Sequence, residues 1–387
     1  MIKLTNDYQK KLADIKPSAN HLTYQAKINS GSFYTPSQLV NYVWKFINPF
    51  LTKNTTVLDT SSGKGNFFIN QKNKNLSLIA VDNDQWAVNY LKENFSFLQI
   101  IQKNALTDIK RTNYGISENQ NLIIIGNPPY NDLTSLKARK IKENFTTNLV
   151  IDPQIKSRDL GISFLRSYYH LKADYVCILH PLSYLIKETN FNHLKEFKNN
   201  YRLLKSLAID SKKFTDAKGA SFPIAISLYQ LDNKGMDYEY IKSFSFELED
   251  GRKFSLNSFQ FLTGLVSKYP KKSFSSDYLD NLFFFTFRDI NSIMRNRTFI
   301  QEFNNYSVPI EKDKLKYYAY IDYFKEEFQD TIPFYLRNMD VFYSSEFQEE
   351  DWNYFTQRIM VKLENKKPES LNKTPKIKEF ESWVAHL

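Results

Sequence analysis

Asn121-Leu-Ile-Ile-Ile-Gly-Asn-Pro-Pro-Tyr130 is a short apolar run that ends in a rigid polar turn. Such a run, bounded by turn residues, reads as a strand buried on both faces, the kind found in parallel sheets. The two prolines fix φ, and Pro128 drives Asn127 out of the α region. An Asn side chain and backbone carbonyls held at the carboxyl end of a strand are acceptors that a planar amino group meets without reorganisation. Tyr130 adds a flat stacking surface beside them. A four-residue turn alone opens many ordinary loops, so its meaning depends on what surrounds it.

Strands and helices alternate on both sides of this turn. Thr35 and Pro36 start a helix, with Leu39, Val40, Val43, Phe46 and Ile47 at helical spacing. Residues 55–59, 76–82, 97–102, 121–126 and 174–179 read as strands, whereas 64–71, 84–94 and 162–172 read as helices. Residues 203–210 and 222–231 read as a closing antiparallel pair. This rhythm predicts an α/β fold: a doubly wound, mainly parallel, seven-stranded sheet with ligands at the carboxyl ends of its strands. It stops near Asp232-Asn-Lys-Gly235, and aromatic-rich, irregular sequence follows. The expected organisation is a polar helical segment over 1–30, a catalytic domain over 31–235, and a mixed α/β second domain over 236–387.

Charge and composition narrow the classes. The chain of 387 residues carries a formal charge of +10. Residues 235–387 hold 21 Lys and Arg against 24 Asp and Glu, and residues 1–234 hold 31 against 18, so the basic character belongs to the N-terminal part. That distribution suits a polyanionic partner. One cysteine, Cys177, excludes a disulfide framework and a cysteine-based zinc site, and no metal site is expected. The start, Met1-Ile-Lys-Leu-Thr-Asn-Asp, lacks the apolar segment of a signal peptide, and no run is long enough to span a membrane; the expectation is a cytoplasmic protein without a membrane partner.

The chemistry-bearing residues recur at strand ends. Asp59-Thr-Ser-Ser-Gly-Lys-Gly65 follows the first strand, and Gly63 and Gly65 let backbone approach a ligand as nucleotide-containing cofactors require. The P-loop spacing is missing although Lys64 is present, which argues against an ATP site. Asp59 suits a cationic group better than a polyphosphate. Asp82, at the end of Ile79-Ala-Val-Asp82, is placed to accept from ribose hydroxyls. Asn104, after the third strand, offers a partner for an adenine amino group, with Leu106 packing the ring.

In order and spacing, these residues resemble the S-adenosylmethionine-dependent DNA adenine-N6 methyltransferases of the gamma arrangement, modification enzymes of type II restriction systems. The resemblance covers about residues 25–230: Phe33-Tyr-Thr-Pro36, Asp59 through Gly65, Asp82, Asn104, and Asn127 through Tyr130. Thr60 stands where that family usually has Pro, Asn66 where Gly is common, and Asn104 where Asp is usual. The resemblance implies that Tyr34, Thr35, Pro36, Asp59, Ser61, Gly63, Gly65, Asp82, Asn83, Asn104, Ala105, Leu106 and Asn127 hold S-adenosylmethionine. It also implies a direct transfer: Asn127 and the Pro128 carbonyl accept the two amino hydrogens of a flipped-out adenine, Pro129 stiffens the turn, and Tyr130 stacks on the base. Phe214 is the first choice for the second stacking ring, with Phe222 as alternate. Double-stranded DNA is the implied partner, with a separately encoded restriction endonuclease, in a monomer or dimer.

Two further segments carry expectations. Asn131 to Arg158 holds six Lys and Arg against three Asp and Glu beside the turn, and Lys137, Arg139, Lys140 and Lys142 are candidates for phosphate contacts. In the second domain Arg288, Arg295 and Arg297 are candidates for reading base edges in a major groove. The same turn also serves protein glutamine-N5 and RNA amino-methyltransferases, which stay as alternatives. Cytosine-C5 chemistry is rejected because Cys177 lies inside a predicted strand with no Pro before it. Glu196-Phe-Lys198 and Glu364-Asn-Lys366 have nuclease-like spacing but no Pro-Asp partner upstream.

Overall fold

The computed structural model describes residues 35–71, 73–130, 150–214, 221–271, 277–295, 297–364, 366, 368 and 371–387. One large sheet organises the chain. Its strands are β1 (Thr56–Asp59), β2 (Ser77–Asp82), β3 (Gln99–Gln102), β4 (Leu122–Gly126), β5 (Tyr175–Pro181), β6 (Tyr201–Asp210), β7 (Pro223–Leu231), β8 (Phe246–Leu248) and β9 (Lys253–Phe254). They pair in the order β3-β2-β1-β4-β5-β7-β6-β8-β9. β1 to β5 run parallel, β7 is antiparallel to both β5 and β6, and β8 is parallel to β6. The α/β fold with a mainly parallel sheet is therefore as expected. The strand number is not: the sheet has nine strands rather than seven, because the short hairpin β8–β9 extends the β6 edge. Strands of three and two residues are too short for alternation to reveal.

Buried strand residues alternate between two faces. Val57, Leu78, Ala80, Ile123, Ile125, Cys177 and Leu179 share one core with helix α1 (Ser37–Ile47), which buries Leu39, Val40, Val43, Phe46 and Ile47. Leu58, Ile79, Val81, Ile124, Val176 and Ile178 share the other with helix α3 (Leu160–His170). Helix α2 (Gln85–Asn94) is capped by Asp84, whose carboxylate accepts the Trp86 N–H at 3.0 Å. The helix expected over 64–71 does not form. A single 3-10 turn, Asn66–Phe68, stands there, because Gly65 turns left-handed (φ 74°) and the apolar Phe67 and Phe68 are adjacent rather than a helical turn apart.

Past β7 the second core face continues into aromatic packing around helices Leu315–Phe328, Glu349–Leu363 and Pro375–Ala385. Tyr320 lies 4.9 Å from Phe355, and Phe324 lies 5.2 Å from Phe342. Two small sheets complete this part. One pairs β10 (Gln260–Phe261) with β14 (Phe342–Tyr343); the other orders β12 (Phe299–Ile300), β11 (Tyr278–Phe285) and β13 (Ser307–Glu311). Among the described residues, no helix is long and apolar enough to cross a membrane.

Candidate functional site

The chain builds outward from β1 through β2 to β3 and then returns to place β4 on the other side of β1, so the strand order reverses between β1 and β4. In open α/β sheets ligands bind beyond the carboxyl ends of the strands at such a switch point. Register brings the candidates there. Asp59 pairs with Ile125, one residue before Gly126 and two before Asn127. Asp82 pairs with Gln102, two residues before Asn104.

The glycine turn after β1 is stitched in place by Ser62. Its hydroxyl donates to the Asp59 carbonyl at 3.0 Å and accepts the Val81 N–H at 3.1 Å, while its own N–H donates to the Val81 carbonyl at 2.9 Å. Gly63 and Gly65 take φ of 52° and 74°. A Cβ on Gly65 would meet Leu91 Cδ2 at 2.7 Å, so this position both turns the chain and lets it lie against α2. Asn66, where the resembled family commonly has Gly, donates from Nδ2 to the Thr35 carbonyl at 2.9 Å and ties the turn to the Thr-Pro segment. Thr60 bonds the Tyr168 hydroxyl at 3.1 Å. Lys64 lies over the stacked rings of Trp86 and Tyr90, at 5.4 and 5.6 Å from their centroids.

Two acids face this turn with different environments. Asp82 accepts the Gly63 N–H on Oδ2 at 2.8 Å and the Asp84 N–H on Oδ1 at 2.9 Å; burial still raises its pKa against those bonds. Asp59 is buried and, among the described residues, its carboxylate accepts only the Ser61 N–H, at 3.0 Å on Oδ1. Its Oδ2 and the Ser61 hydroxyl are buried with no hydrogen-bond partner among the described residues. Burial pushes the Asp59 carboxyl up to about 8, with Asp82 adding a like charge nearby. A buried carboxylate oxygen and hydroxyl left over in this way are open to a hydrogen-bond donor or a cationic group.

Asn127 is half-buried with its side-chain oxygen sheltered from solvent, and Pro128 is buried. Pro129 and Tyr130 are half-buried, and Tyr130 packs against both core faces. After β3, Asn104 accepts the Leu106 N–H at 3.0 Å and donates to the Val150 carbonyl at 2.7 Å. An Asp at 104 could not make the second bond, so Asn here anchors the segment that precedes α3. Ala105 and Leu106 are buried, Asn83 is exposed, and Thr35 is buried behind Pro36.

Phe214 is 3% exposed within the core of the first sheet face, and Phe222 is half-buried against the same core. Arg295 and Arg297 are exposed beyond β11, and Arg288 pairs with Asp289 at 3.1 Å while keeping 65% of its side chain exposed. Tyr34, Lys137, Arg139, Lys140 and Lys142 lie outside the described residues, as does the segment 1–30. Cys177 is fully buried in β5 and burial pushes its thiol up, which agrees with rejecting it as a nucleophile. Glu196 and Lys198 lie together on a five-residue helix. No cluster of three metal-ligating side chains occurs among the described residues.

Sequence reading missed three features. Gly126 takes a φ of 148° where its backbone passes Asp59; a glycine closing an apolar strand was the available signal. Lys187, just past helix α4 (Ser183–Ile186), forms a buried ion pair with Asp289 of the second part of the chain. His180, near the end of β5, stacks on Tyr184 of α4. Neither pairing leaves a local sequence mark.

No curated protein matches the chain. Among solved structures it is similar to a protein described as an RNA methyltransferase from Pyrococcus horikoshii (14% identity, 59% of this chain and 100% of that chain, TM-score 0.37). It is also similar to a type I restriction-modification system methyltransferase subunit from Streptococcus thermophilus (17%, 57% and 52%, 0.37). A third is a modification subunit ascribed to a type I restriction enzyme of Vibrio vulnificus (13%, 64% and 62%, 0.40). These similarities are too distant to say what this chain does. Residues 19–174, which carry the glycine turn, Asp82, Asn104 and the Asn-Pro-Pro-Tyr turn, match the family model described as N-6 DNA Methylase, and this match supports a methyltransferase.

Proposed function

We propose that this protein is a site-specific DNA methyltransferase that uses S-adenosylmethionine to methylate N6 of a flipped-out adenine, as the modification enzyme of a restriction system. The observation that carries the proposal is the convergence of two unlike acceptor sets at one switch point. Asp59, with Oδ2 and the neighbouring Ser61 hydroxyl lacking a hydrogen-bond partner among the described residues, meets Asp82 on one side of β1, and Asn127 to Tyr130 follow β4 on the other.

The residues fit the cofactor. Asp59 and Ser61 would take its ammonium and polar end, Asp82 its ribose hydroxyls, and Asn104 to Leu106 its adenine, with Thr35 and Pro36 alongside. Bound there, S-adenosylmethionine supplies an electrophilic methyl group on a sulfonium. Asn127 Oδ1 and the Pro128 carbonyl accept the two hydrogens of the target amino group and aim its lone pair toward the switch point. Tyr130 stacks on the base, and Phe222, half-buried where Phe214 is enclosed in the core, supplies the opposite face. Because the nitrogen attacks directly, no side chain needs to act as a covalent nucleophile, which suits a chain whose one cysteine is buried. Residues 31–235 form the catalytic unit in this reading, with β8 and β9 extending its sheet, and the rest of 236–387 is the unit that recognises double-stranded DNA.

The test is transfer of labelled methyl from S-adenosylmethionine to unmethylated genomic DNA, with nucleoside analysis and an Asn127→Ala control. N6-methyladenine that vanishes in the control supports the proposal. Label that enters RNA or protein instead rejects DNA as the substrate.

A further inference from the structure

We infer that Tyr184 and Gly161 are positioning residues for Tyr130, fixing its ring beside the Asn-Pro-Pro turn; the inference rests on the proposed role of Tyr130 at that turn. Tyr130 ends a turn, so its ring orientation depends on what it packs against. Gly161, in the first turn of α3, leaves the space in which that packing happens. A Cβ there would lie 2.6 Å from Tyr184 Oη and 3.1 Å from both Tyr184 Cε2 and Tyr130 Cβ. The two tyrosines therefore converge on the volume of one missing side chain.

Tyr184 is itself held from two sides. Its hydroxyl donates to Asp159 Oδ1, the oxygen that also accepts the Gly161 N–H at 2.9 Å and caps α3. Its ring lies parallel over His180, 5.4 Å between centroids at 8°. His180 is fixed by the Pro181 carbonyl at 2.9 Å from Nδ1 and the Tyr229 hydroxyl at 2.7 Å from Nε2. Because a carbonyl only accepts, Nδ1 carries the proton and Nε2 accepts from Tyr229. Burial keeps this ring neutral, pushing its pKa down to about 4. A chain of buried rings thus runs from Tyr229 on β7, through His180 and Tyr184, to the first turn of α3 and Tyr130.

The experiment compares wild type, Gly161→Ala, Tyr184→Phe and the double variant Gly161→Ala/Tyr184→Phe. In protein labelled with 3-fluorotyrosine, the Tyr130 fluorine signal, assigned by its loss in Tyr130→Phe, shifts in Gly161→Ala. In the double variant it moves back toward the wild-type position, because the new methyl group takes the place of the hydroxyl it would strike. In methyl transfer to DNA, Gly161→Ala lowers kcat at least about tenfold, as misplacement of a reacting group does, with cofactor KM changing less. The double variant recovers part of that loss. An unmoved Tyr130 signal in Gly161→Ala, or a double variant no better than the single one, overturns the inference. A wild-type protein inactive on DNA whose Tyr130 signal still responds rejects the DNA reading and leaves the positioning role standing.

Discussion

The backbone of Gly126 passes Asp59 so closely that a Cβ at 126 would lie 2.9 Å from Asp59 Oδ1. The last residue of β4 therefore has no room for a side chain, and its φ of 148° is one that only glycine adopts easily. Two strands end across this gap, one in the Asp59 carboxylate and the other in the Asn127 turn. Gly126→Ala displaces one or the other. Backbone strain alone destabilises the protein by about 1–3 kcal/mol. Calorimetric titration with S-adenosylmethionine is expected to show weakened binding, and unimpaired affinity in the folded variant would refute the close-approach argument.

Asp59 also makes stability and binding depend on pH in opposite senses. Its carboxyl rises from 3.8 to about 8 through burial, so the folded chain keeps a proton that the unfolded chain has lost. The stability that this group contributes is present below about pH 3.8 and is lost as pH rises through 8. Replacing it with Asn removes the buried charge, so Asp59→Asn is expected to raise the apo-protein melting temperature at pH 9 by about 2 °C or more. The same change weakens binding, because a cationic ligand group needs the carboxylate. At pH 7, binding to the wild type releases about one proton, read from binding enthalpies in buffers of different ionisation heat. No proton release would mean that Asp59 does not meet the cation.

Most of the sheet was legible because each central strand is short, apolar and followed by a distinctive residue. Asp59, Asp82 and Asn127 all fall where the pattern put them, since register aligns ends that the sequence marks separately. The turn at 66–68 was less legible, because two adjacent phenylalanines fit both a helix and a compact turn until Gly65 is seen to lie against Leu91. The strand β8 was hidden by its length. Pairings such as Lys187 with Asp289 join residues 102 positions apart, and no local pattern encodes them. The same holds for Gly161, an unremarked glycine in a helix until two tyrosines are found against it.

Lys187 and Asp289 join the segment after α4 to the start of the Arg288 region. Burial alone would raise the Asp289 carboxyl, but Lys187 and Arg288 together hold it below the usual carboxylate range. Burial lowers the Lys187 ammonium, and Asp289 offsets this only in part. The two deletions are therefore unequal. Asp289→Ala leaves a buried lysine with Arg288 and Lys268 as like-charged neighbours, and removes a cap that accepts the Ser292 N–H at 3.0 Å. The expected cost is about 3–5 kcal/mol. Lys187→Met leaves Asp289 with Arg288, and costs less. Urea unfolding midpoints measure both, and equal losses would show that Arg288 does not compensate.

Arg295 and Arg297 are exposed on a basic stretch in which residues 252–297 hold eight Lys and Arg against three Asp and Glu. Exposed guanidinium groups contact either phosphates or base edges, and salt distinguishes the two. If they neutralise phosphates, each Ala substitution lowers affinity for all sequences alike and reduces the slope of log K against log salt by about 0.9. If they read bases, the slope changes little and discrimination between sites falls by about 1–3 kcal/mol per contact. Their position, flanking residue 296 rather than standing on one helical face, does not present two side chains to one base pair, so the phosphate outcome is expected. Titrations of each variant against methylatable and random duplexes at several salt concentrations measure both quantities. A loss of discrimination at unchanged slope would assign these arginines to sequence reading instead.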